Sequence, residues 1–241
     1  MARVVKTKWI WKTQKIEFRR QKIQVSPVSY YGALPSGYGY IALTSFPNTA
    51  ASEVKKAFLE LKGKHHIKGL ILDLRDNGGG LIDEAIKIVN FFVPAGEEVV
   101  TTRGRNARLQ ETIYKTTDKP LDTEIPLVVL INAQSASSSE IVSGALQDLD
   151  RAVVMGVKSY GKGLVQTTMQ LPYDGTIKLT TAKYYIPSGR CIQRIDYHSL
   201  REGKGATILP DSLTKVFHTR AGREVRDAGG ILPDITLPVD T

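Results

Sequence analysis

A regular alternation of strand and helix patterns between residues 38 and 155 constrains the fold of this chain most strongly. Two runs, IKGLILDL (67–74) and PLVVLIN (126–132), are almost continuously apolar, which is typical of strands buried on both faces. Apolar residues with helical spacing follow at 48–61 and 81–92. Such alternation predicts βαβ units and a mainly parallel core sheet.

Additional patterns surround this core. The turn signal Tyr173-Asp174-Gly175 predicts a hairpin, which adds an antiparallel portion to the sheet. Gly63 is expected to end the first helix. The sequence therefore predicts an α/β fold with a mixed sheet. Further strands are expected at 38–46, 97–103, 152–155, 166–171 and 176–185, a helix at 137–148, a loop or flap at 106–122, a partly mobile stretch at 199–219 and an extended GGILPDITL segment.

The N-terminal residues are basic and show two short strand patterns. We expect one strand over 4–11 and another over 15–25, and a hairpin of that size cannot bury its own face. The formal charge of the chain is +9, and eight basic residues but one acidic residue lie before position 23. Nucleic-acid binding and solvated strand faces both fit such a tract. No nucleic-acid motif accompanies it, so we expect no nucleic-acid partner.

Metal and cofactor chemistry has little support in the sequence. Cys191 is the single cysteine, which rules out an internal disulfide. It shows no ligand spacing with the four histidines, so neither a metal nor another cofactor is expected. The adjacent carboxylates Asp83 and Glu84 lie on a predicted helix, where we expect them to be solvated. The chain also shows no membrane-spanning run and no signal-peptide pattern at its start.

Serines cluster where the strand PLVVLIN gives way to a helix pattern. A strand–turn–helix corner lifts a side chain to the edge of the sheet where ligands bind in open α/β folds. Free N–H groups and the positive helix end would stabilise an oxyanion there. However, Ser137-x-x-Glu140 also fits a capping box, in which the serine only caps the helix. This segment alone leaves both interpretations open.

Lys162 is the candidate base for a serine nucleophile. It lies between Gly161 and Gly163, which would let the backbone approach another element closely, although such a lysine also fits a surface turn. No histidine stands in a catalytic motif, and there is no Gly-x-Ser-x-Gly elbow. If Ser137 is a nucleophile, a partly buried Lys162 in its neutral form would take its proton. The glycine turn RDNGGG (75–80) is a candidate second oxyanion donor and not a P-loop.

Four motifs in this order resemble those of the C-terminal processing peptidases, also called tail-specific proteases. They are GLILDLRDNGGG, SASSSEIVSGALQD, SYGKGLVQ and LTTAKYYIPSGRCIQ. The resemblance covers roughly residues 16–195 and the GGILPDI segment. It implies a crotonase/ClpP-like mixed sheet core with βαβ units, plus a short N-terminal β hairpin segment.

The resemblance also implies roles for site residues. Ser137 would be the nucleophile, Lys162 the general base and Gln166 the residue that positions Lys162. The oxyanion hole would use the N–H of Ser138 and that of Gly78 or Gly79. Ser138 stands where the family usually has alanine, and its hydroxyl is expected to alter the pocket slightly.

The function implied is a serine endopeptidase that cuts protein chains near their C-termini. Its partners would be protein or peptide C-termini, in a periplasmic or otherwise extracytoplasmic location. Membrane association through a missing N-terminal segment and homo-oligomerisation both stay open. Family members usually carry a PDZ domain before KIEFRRQKI. We therefore expect residues 1–25 to be a remnant of such a domain, or a replacement for it, and residues 26–241 to be the peptidase core.

Three rival functions deserve comparison. The first is a non-catalytic peptide-binding protein on the same fold, against which the intact Ser137, Lys162 and Gln166 argue. The second is a crotonase-like acyl-CoA enzyme, which would need a CoA site that the sequence does not show. The third is nucleic-acid binding through the basic N-terminus, which a salt-dependent shift assay would detect.

Overall fold

The structure, a computed structural model, describes residues 2–7, 10–15, 17, 19, 23, 25–105, 111–196, 207–208 and 214–237. Within them lie three helices and sixteen strands. The helices are α1 (Ala50–His65), α2 (Ile82–Asn90) and α3 (Ser138–Asp148). The strands are β1 (Ala2–Thr7), β2 (Ile10–Lys15), β3 (Val28–Ala33), β4 (Gly39–Leu43), β5 (Leu70–Asp73), β6 (Glu98–Gly104), β7 (Glu111–Lys115), β8 (Leu127–Ile131), β9 (Val153–Gly156), β10 (Leu164–Gln170), β11 (Thr176–Tyr185), β12 (Ile195–Asp196), β13 (Thr207–Ile208), β14 (Val216–His218), β15 (Glu224–Arg226) and β16 (Ile235–Thr236).

The core sheet has six strands in the order β16-β9-β8-β5-β4-β3. All neighbours pair in parallel except β3 and β4, which are antiparallel. Its central strands carry fully buried side chains such as Leu72 and Val129, which face each other in the register. The prediction of a mainly parallel core is confirmed. The C-terminal GGILPDITL segment supplies β16 at one edge of this sheet.

A second, antiparallel sheet has the order β10-β11-β6-β7. The hairpin between β10 and β11 turns at Tyr173 and Asp174, whose φ angles are 59° and 56°. Two successive positive φ angles belong to the turn type that matches the twist of paired strands. The predicted hairpin is therefore confirmed, and the fold is α/β with a mixed sheet.

Gly63 does not end the first helix, contrary to the prediction. Helix α1 continues to His65, and the chain leaves it at His66 with a φ of 46°. An interior helical glycine costs only about 1 kcal/mol relative to alanine, which the packing of the preceding turns can outweigh. Val54, Phe58 and Leu61 supply that packing, since all three are buried.

The expected loop or flap at 106–122 is partly a strand. Glu111–Lys115 form β7, which pairs with β6 along the edge of the second sheet. Residues 106–110 lie outside the described residues. The segment resembles a loop in sequence because most of its side chains are polar, and its apolar Ile113 is exposed. An edge strand needs no apolar alternation, because its backbone hydrogen bonds hold it.

The N-terminal prediction was wrong in its boundaries. Strands β1 and β2 pair antiparallel with Thr7 opposite Ile10, whereas one strand was expected across 4–11. Residues 17, 19, 23 and 25 lie in no strand, and the rest of 16–24 lies outside the described residues, as does most of 199–213. The domain boundary at residue 25 stays a prediction. No described helix combines the length and apolar character that a membrane crossing requires.

Candidate active site

Ser137 lies at a strained corner between β8 and α3. Its φ and ψ angles are 57° and −115°, a conformation that residues other than glycine rarely adopt. Ala136 and Ser138 on either side are buried, whereas Ser137 itself is partly exposed. Backbone strain of this kind persists only where the surroundings fix it, and it occurs preferentially at functional sites. The corner thus exposes Ser137 between buried neighbours.

The glycine turn after β5 is bound directly to the serine corner. The Asn77 carbonyl accepts hydrogen bonds from Ser139 Oγ (2.8 Å) and from the Ala136 N–H (3.0 Å). Ser138 Oγ donates to the Gly80 carbonyl at 3.0 Å. The Ser138 hydroxyl therefore points towards the glycine turn and not into the pocket. The sequence had predicted that this hydroxyl would alter the pocket slightly, and the structure does not bear this out.

Gly79 packs against the serine corner so closely that only glycine fits. Its φ is +96°, and a Cβ there would lie 2.7 Å from the Ala136 carbonyl oxygen and 2.8 Å from Ser137 Cβ. The Gly79 N–H donates to Asn77 Oδ1 at 2.9 Å. In contrast, the N–H groups of Gly78 and Ser138 donate to no described residue. Those two N–H groups are free to bind an anion.

The glycines beside Lys162 allow a close approach of two segments, as predicted. A Cβ on Gly161 would lie 2.5 Å from Arg194 Cβ, and one on Gly163 would lie 2.8 Å from the Gln193 nitrogen. The loop between β9 and β10 is thereby pressed onto residues 193–194. It holds Lys162, which is partly buried, at the edge of a cleft.

One cleft of about 470 Å³ brings the predicted site residues together. Ser137, Lys162 and Gln166 line it together with Gly78 and Gly79. A neighbouring cleft of about 460 Å³ shares Gly78, Lys162 and Gln166, so Lys162 lies where the two clefts meet. Among the described residues, no hydrogen bond joins Lys162 Nζ to Ser137 Oγ or to Gln166. Catalytic contacts are often longer before substrate binds, so this spacing is compatible with a resting site.

Sequence reasoning missed the contribution of Tyr184. This side chain is fully buried, and its hydroxyl donates to the Lys162 carbonyl and lies 3.4 Å from the Ser137 carbonyl. Burial raises the pKa of Tyr184 well above its usual value, so the hydroxyl stays a donor. The signal was present in LTTAKYY, where the tyrosine pair must place one ring on the inner face of the strand.

Glu84 was expected to be solvated and is not. It is buried, and its carboxylate accepts the Ala51 N–H at 2.8 Å and binds Lys87 at 2.7 Å. A buried carboxylate of this kind satisfies the free N–H groups of a helix start, here that of α1. No group of three His, Cys, Asp or Glu side chains in the described part of the chain could hold a metal ion.

Comparisons with known proteins identify a related family. Residues 37–199 match the sequence profile of a family described as peptidase family S41. A carboxy-terminal-processing protease of Bartonella bacilliformis is 43% identical over 185 residues, which are 75% of this chain and 41% of that protein. A chloroplastic C-terminal processing peptidase of Tetradesmus obliquus is 34% identical over 195 residues, 76% of this chain and 41% of that protein. This chain thus spans about two fifths of the length of these relatives.

A solved structure shows the same fold. The chain of a photosystem II D1 C-terminal processing protease superposes with a TM-score of 0.65 and 28% sequence identity. The alignment covers 93% of this chain and 52% of that one. The α/β architecture is therefore shared with a processing protease.

Proposed function

The chain belongs to peptidase family S41, and from this premise we propose that it is the catalytic part of a serine endopeptidase that cleaves protein substrates near their C-termini. One observation supports this most directly: the strained Ser137 and the glycine-flanked Lys162 line one cleft, although 25 positions separate them in the chain. The names of the relatives, which are processing proteases of C-terminal ends, support the substrate class.

In the proposed mechanism Ser137 is the nucleophile and Lys162 the general base. Ser137 Oγ attacks the scissile carbonyl carbon while its proton passes to the neutral amine of Lys162. The resulting lysine ammonium then gives that proton to the leaving amine, and the C–N bond breaks to leave an ester on Ser137. Water attacks this ester, Lys162 takes a proton from the water, and the new carboxyl end departs as Ser137 regains its hydrogen.

The oxyanion would be held by the two free N–H groups of Gly78 and Ser138. Gly79 is the weaker candidate, because its N–H is already bound to Asn77 Oδ1. Removing one such donor typically costs about 100- to 1,000-fold in rate. Gln166, which lines the cleft beside Lys162, would orient the lysine when substrate closes the site. The dyad needs no metal or organic cofactor for these steps.

A substitution of the nucleophile tests this function. We expect Ser137→Ala to abolish cleavage of an unstructured protein while circular dichroism and thermal unfolding show an intact fold, because only the attacking oxygen is lost. Covalent labelling by a serine-reactive phosphonate should disappear in the same variant. Retained cleavage would remove the assignment, and an unlabelled, inactive but peptide-binding wild type would favour the non-catalytic alternative.

The cellular location of the protein is part of the same proposal. Processing of chain ends by bacterial and chloroplastic relatives suggests an extracytoplasmic site of action, such as the periplasm. Fractionation of cells that express the protein would test that location.

Substrate C-termini would bind in the two clefts that meet at Lys162.

A further inference from the structure

Glu140 makes more hydrogen bonds than its capping position requires. A capping box needs the glutamate to accept one N–H, that of the residue before the helix. Glu140 Oε2 does accept the Ser137 N–H at 2.9 Å. The same carboxylate also accepts the N–H groups of Gly161 (2.7 Å) and Lys162 (2.9 Å) and the hydroxyl of Ser159 (2.5 Å). Three of its four donors therefore lie outside its own helix.

These donors come from the two segments that carry the proposed chemistry. Ser137 is the nucleophile, and Lys162, with Gly161 beside it, is the base segment. One carboxylate thus joins the backbone nitrogens of both residues of the dyad, each at 2.9 Å. The Tyr184 hydroxyl donates a hydrogen bond to the backbone carbonyl oxygen of Lys162. The relative position of the two backbones is therefore fixed from one point.

The environment of Glu140 makes these bonds strong and costly to lose. The side chain has no exposed surface, and no described lysine or arginine pairs with it. Burial raises the pKa of the Glu140 carboxyl, whereas the hydrogen bonds from Ser159, Lys162, Gly161 and Ser137 oppose that rise. Charge-assisted bonds to backbone N–H groups are about twice as strong as neutral ones. Ser159 Oγ donates its single hydrogen to Glu140 and accepts the Ile231 N–H at 2.6 Å.

We propose that Glu140 is a positioning residue that sets the distance between Ser137 and Lys162 by binding the backbone N–H groups of both. This inference rests on the proposed serine–lysine mechanism and adds to it the group that aligns the dyad. Glu140 does not touch substrate or transfer a proton. A displacement of about 1 Å between reacting groups can cost about 100-fold in rate, so loss of this link should act on the chemical step.

Glu140→Gln is the direct test. The amide keeps the size of the side chain but has one oxygen for four donors, and its NH₂ group would face N–H groups that need an acceptor. We expect kcat per folded molecule to fall about 100-fold. KM for a fluorogenic peptide should stay within about 3-fold, because the walls of the cleft are unchanged. Glu140→Asp keeps both carboxylate oxygens, but its shorter side chain moves them away from the four donors. Its kcat should lie between those of wild type and Glu140→Gln.

Glu84→Gln is the matched control. Glu84 is also a buried glutamate that accepts a backbone N–H at a helix start, but it joins α2 to α1 away from the dyad. The Glu84→Gln substitution should lower the unfolding temperature while kcat per folded molecule changes less than about 2-fold. The folded fraction of each variant is measured by calorimetry, so that partial unfolding is not counted as slower chemistry.

Several results would overturn the inference. A Glu140→Gln or Glu140→Asp variant with kcat per folded molecule within about 2-fold of wild type would do so. If neither variant folds, amide hydrogen exchange is measured in the unaltered protein instead. Protected amides of Ser137, Gly161 and Lys162 that share one opening rate would support the link. Fast exchange, or opening rates that differ among the three amides, would reject it. The control for the underlying function is Ser137→Ala. If it is inactive while Glu140→Gln is fully active, only the positioning role fails; if it is active, the dyad itself fails.

Discussion

At the scale of single residues, the site depends on conformations that only particular residues can adopt. Ser137 has a positive φ without being glycine, and its neighbours compensate by hydrogen bonds to both sides of its peptide groups. Gly79 provides the opposite case, since it has no side chain and can lie in contact with Ser137 Cβ. Strain at one residue and the absence of a side chain at another together shape the proposed oxyanion region.

Gly79→Ala should damage both stability and activity. The new Cβ would overlap the Ala136 carbonyl oxygen, and the φ of +96° is unfavourable for alanine. We expect a loss of about 1 to 3 kcal/mol in the free energy of unfolding. A shifted Ser138 N–H should lower kcat by about 100-fold or more.

Gly78→Ala is the comparison for this change, because a Cβ at Gly78 would meet no atom within 4 Å. Urea unfolding should show its stability within about 0.5 kcal/mol of wild type. Equal loss of stability in both variants would contradict the packing argument for Gly79.

At the scale of secondary-structure elements, helix α3 connects the site to the rest of the fold. Its N-terminus carries Ser137 and Glu140, and its C-terminus carries Asp148, which pairs with Arg190 at 2.8 Å. Both side chains of this pair have no exposed surface. Asp148 also accepts the Ser188 N–H at 3.0 Å, so the segment after β11 is fixed to the far end of the helix. The helix and the strand that carries Tyr184 are thereby held together at both ends.

Asp148→Asn should be strongly destabilising. Removing one partner of a buried ion pair leaves an uncompensated charge, here on Arg190, at a cost of about 3 to 5 kcal/mol. Chemical unfolding followed by circular dichroism measures this loss. Lys64→Ala is the control, since the Lys64–Glu60 pair is exposed and screened by water, so its loss should change stability little. A change of the same size in both variants would show that burial does not decide the effect.

At the scale of the whole molecule, the C-terminal segment completes the core and supports the site. Asp234 accepts the Val154 N–H at 2.8 Å as β16 joins the edge of the core sheet. Ile231 is fully buried, and a Cβ on Gly144 would lie 2.7 Å from its Cδ1, so this side chain packs directly on α3. The Ile231 peptide also bonds to Ser159, which donates to Glu140. Residues nearly 100 positions from Ser137 thus help to hold it.

Ile231→Ala should reduce stability through the cavity that it leaves against α3. Truncation of a fully buried isoleucine costs about 2 to 5 kcal/mol. Leu232→Ala serves as the comparison, because Leu232 is 52% exposed and its truncation should cost well under half of that. The two melting temperatures, measured side by side, would contradict the assigned packing if they fell equally.

The sequence by itself determined the periodic features of this protein. Buried parallel strands, helical spacing and the hairpin turn each leave a local pattern, and the order of four motifs indicated the family and the candidate residues Ser137 and Lys162. Where local pattern and tertiary packing compete, prediction failed, as at Gly63, the edge strand β7 and the N-terminal hairpin. At each of these points the deciding contacts come from residues distant in the chain or from backbone bonding.

Only the tertiary structure decided how the candidate residues relate to one another. In the sequence Glu140 is a helix cap, Tyr184 one of two tyrosines and Asp148 the last residue of a helix. Folding brings Glu140 within hydrogen-bond distance of Gly161 and Lys162, which lie more than twenty positions away. A buried carboxylate must find donors wherever the fold supplies them, and that choice depends on packing that no local pattern encodes. The chain order indicates the proposed nucleophile and base, whereas the folded core holds their backbones together.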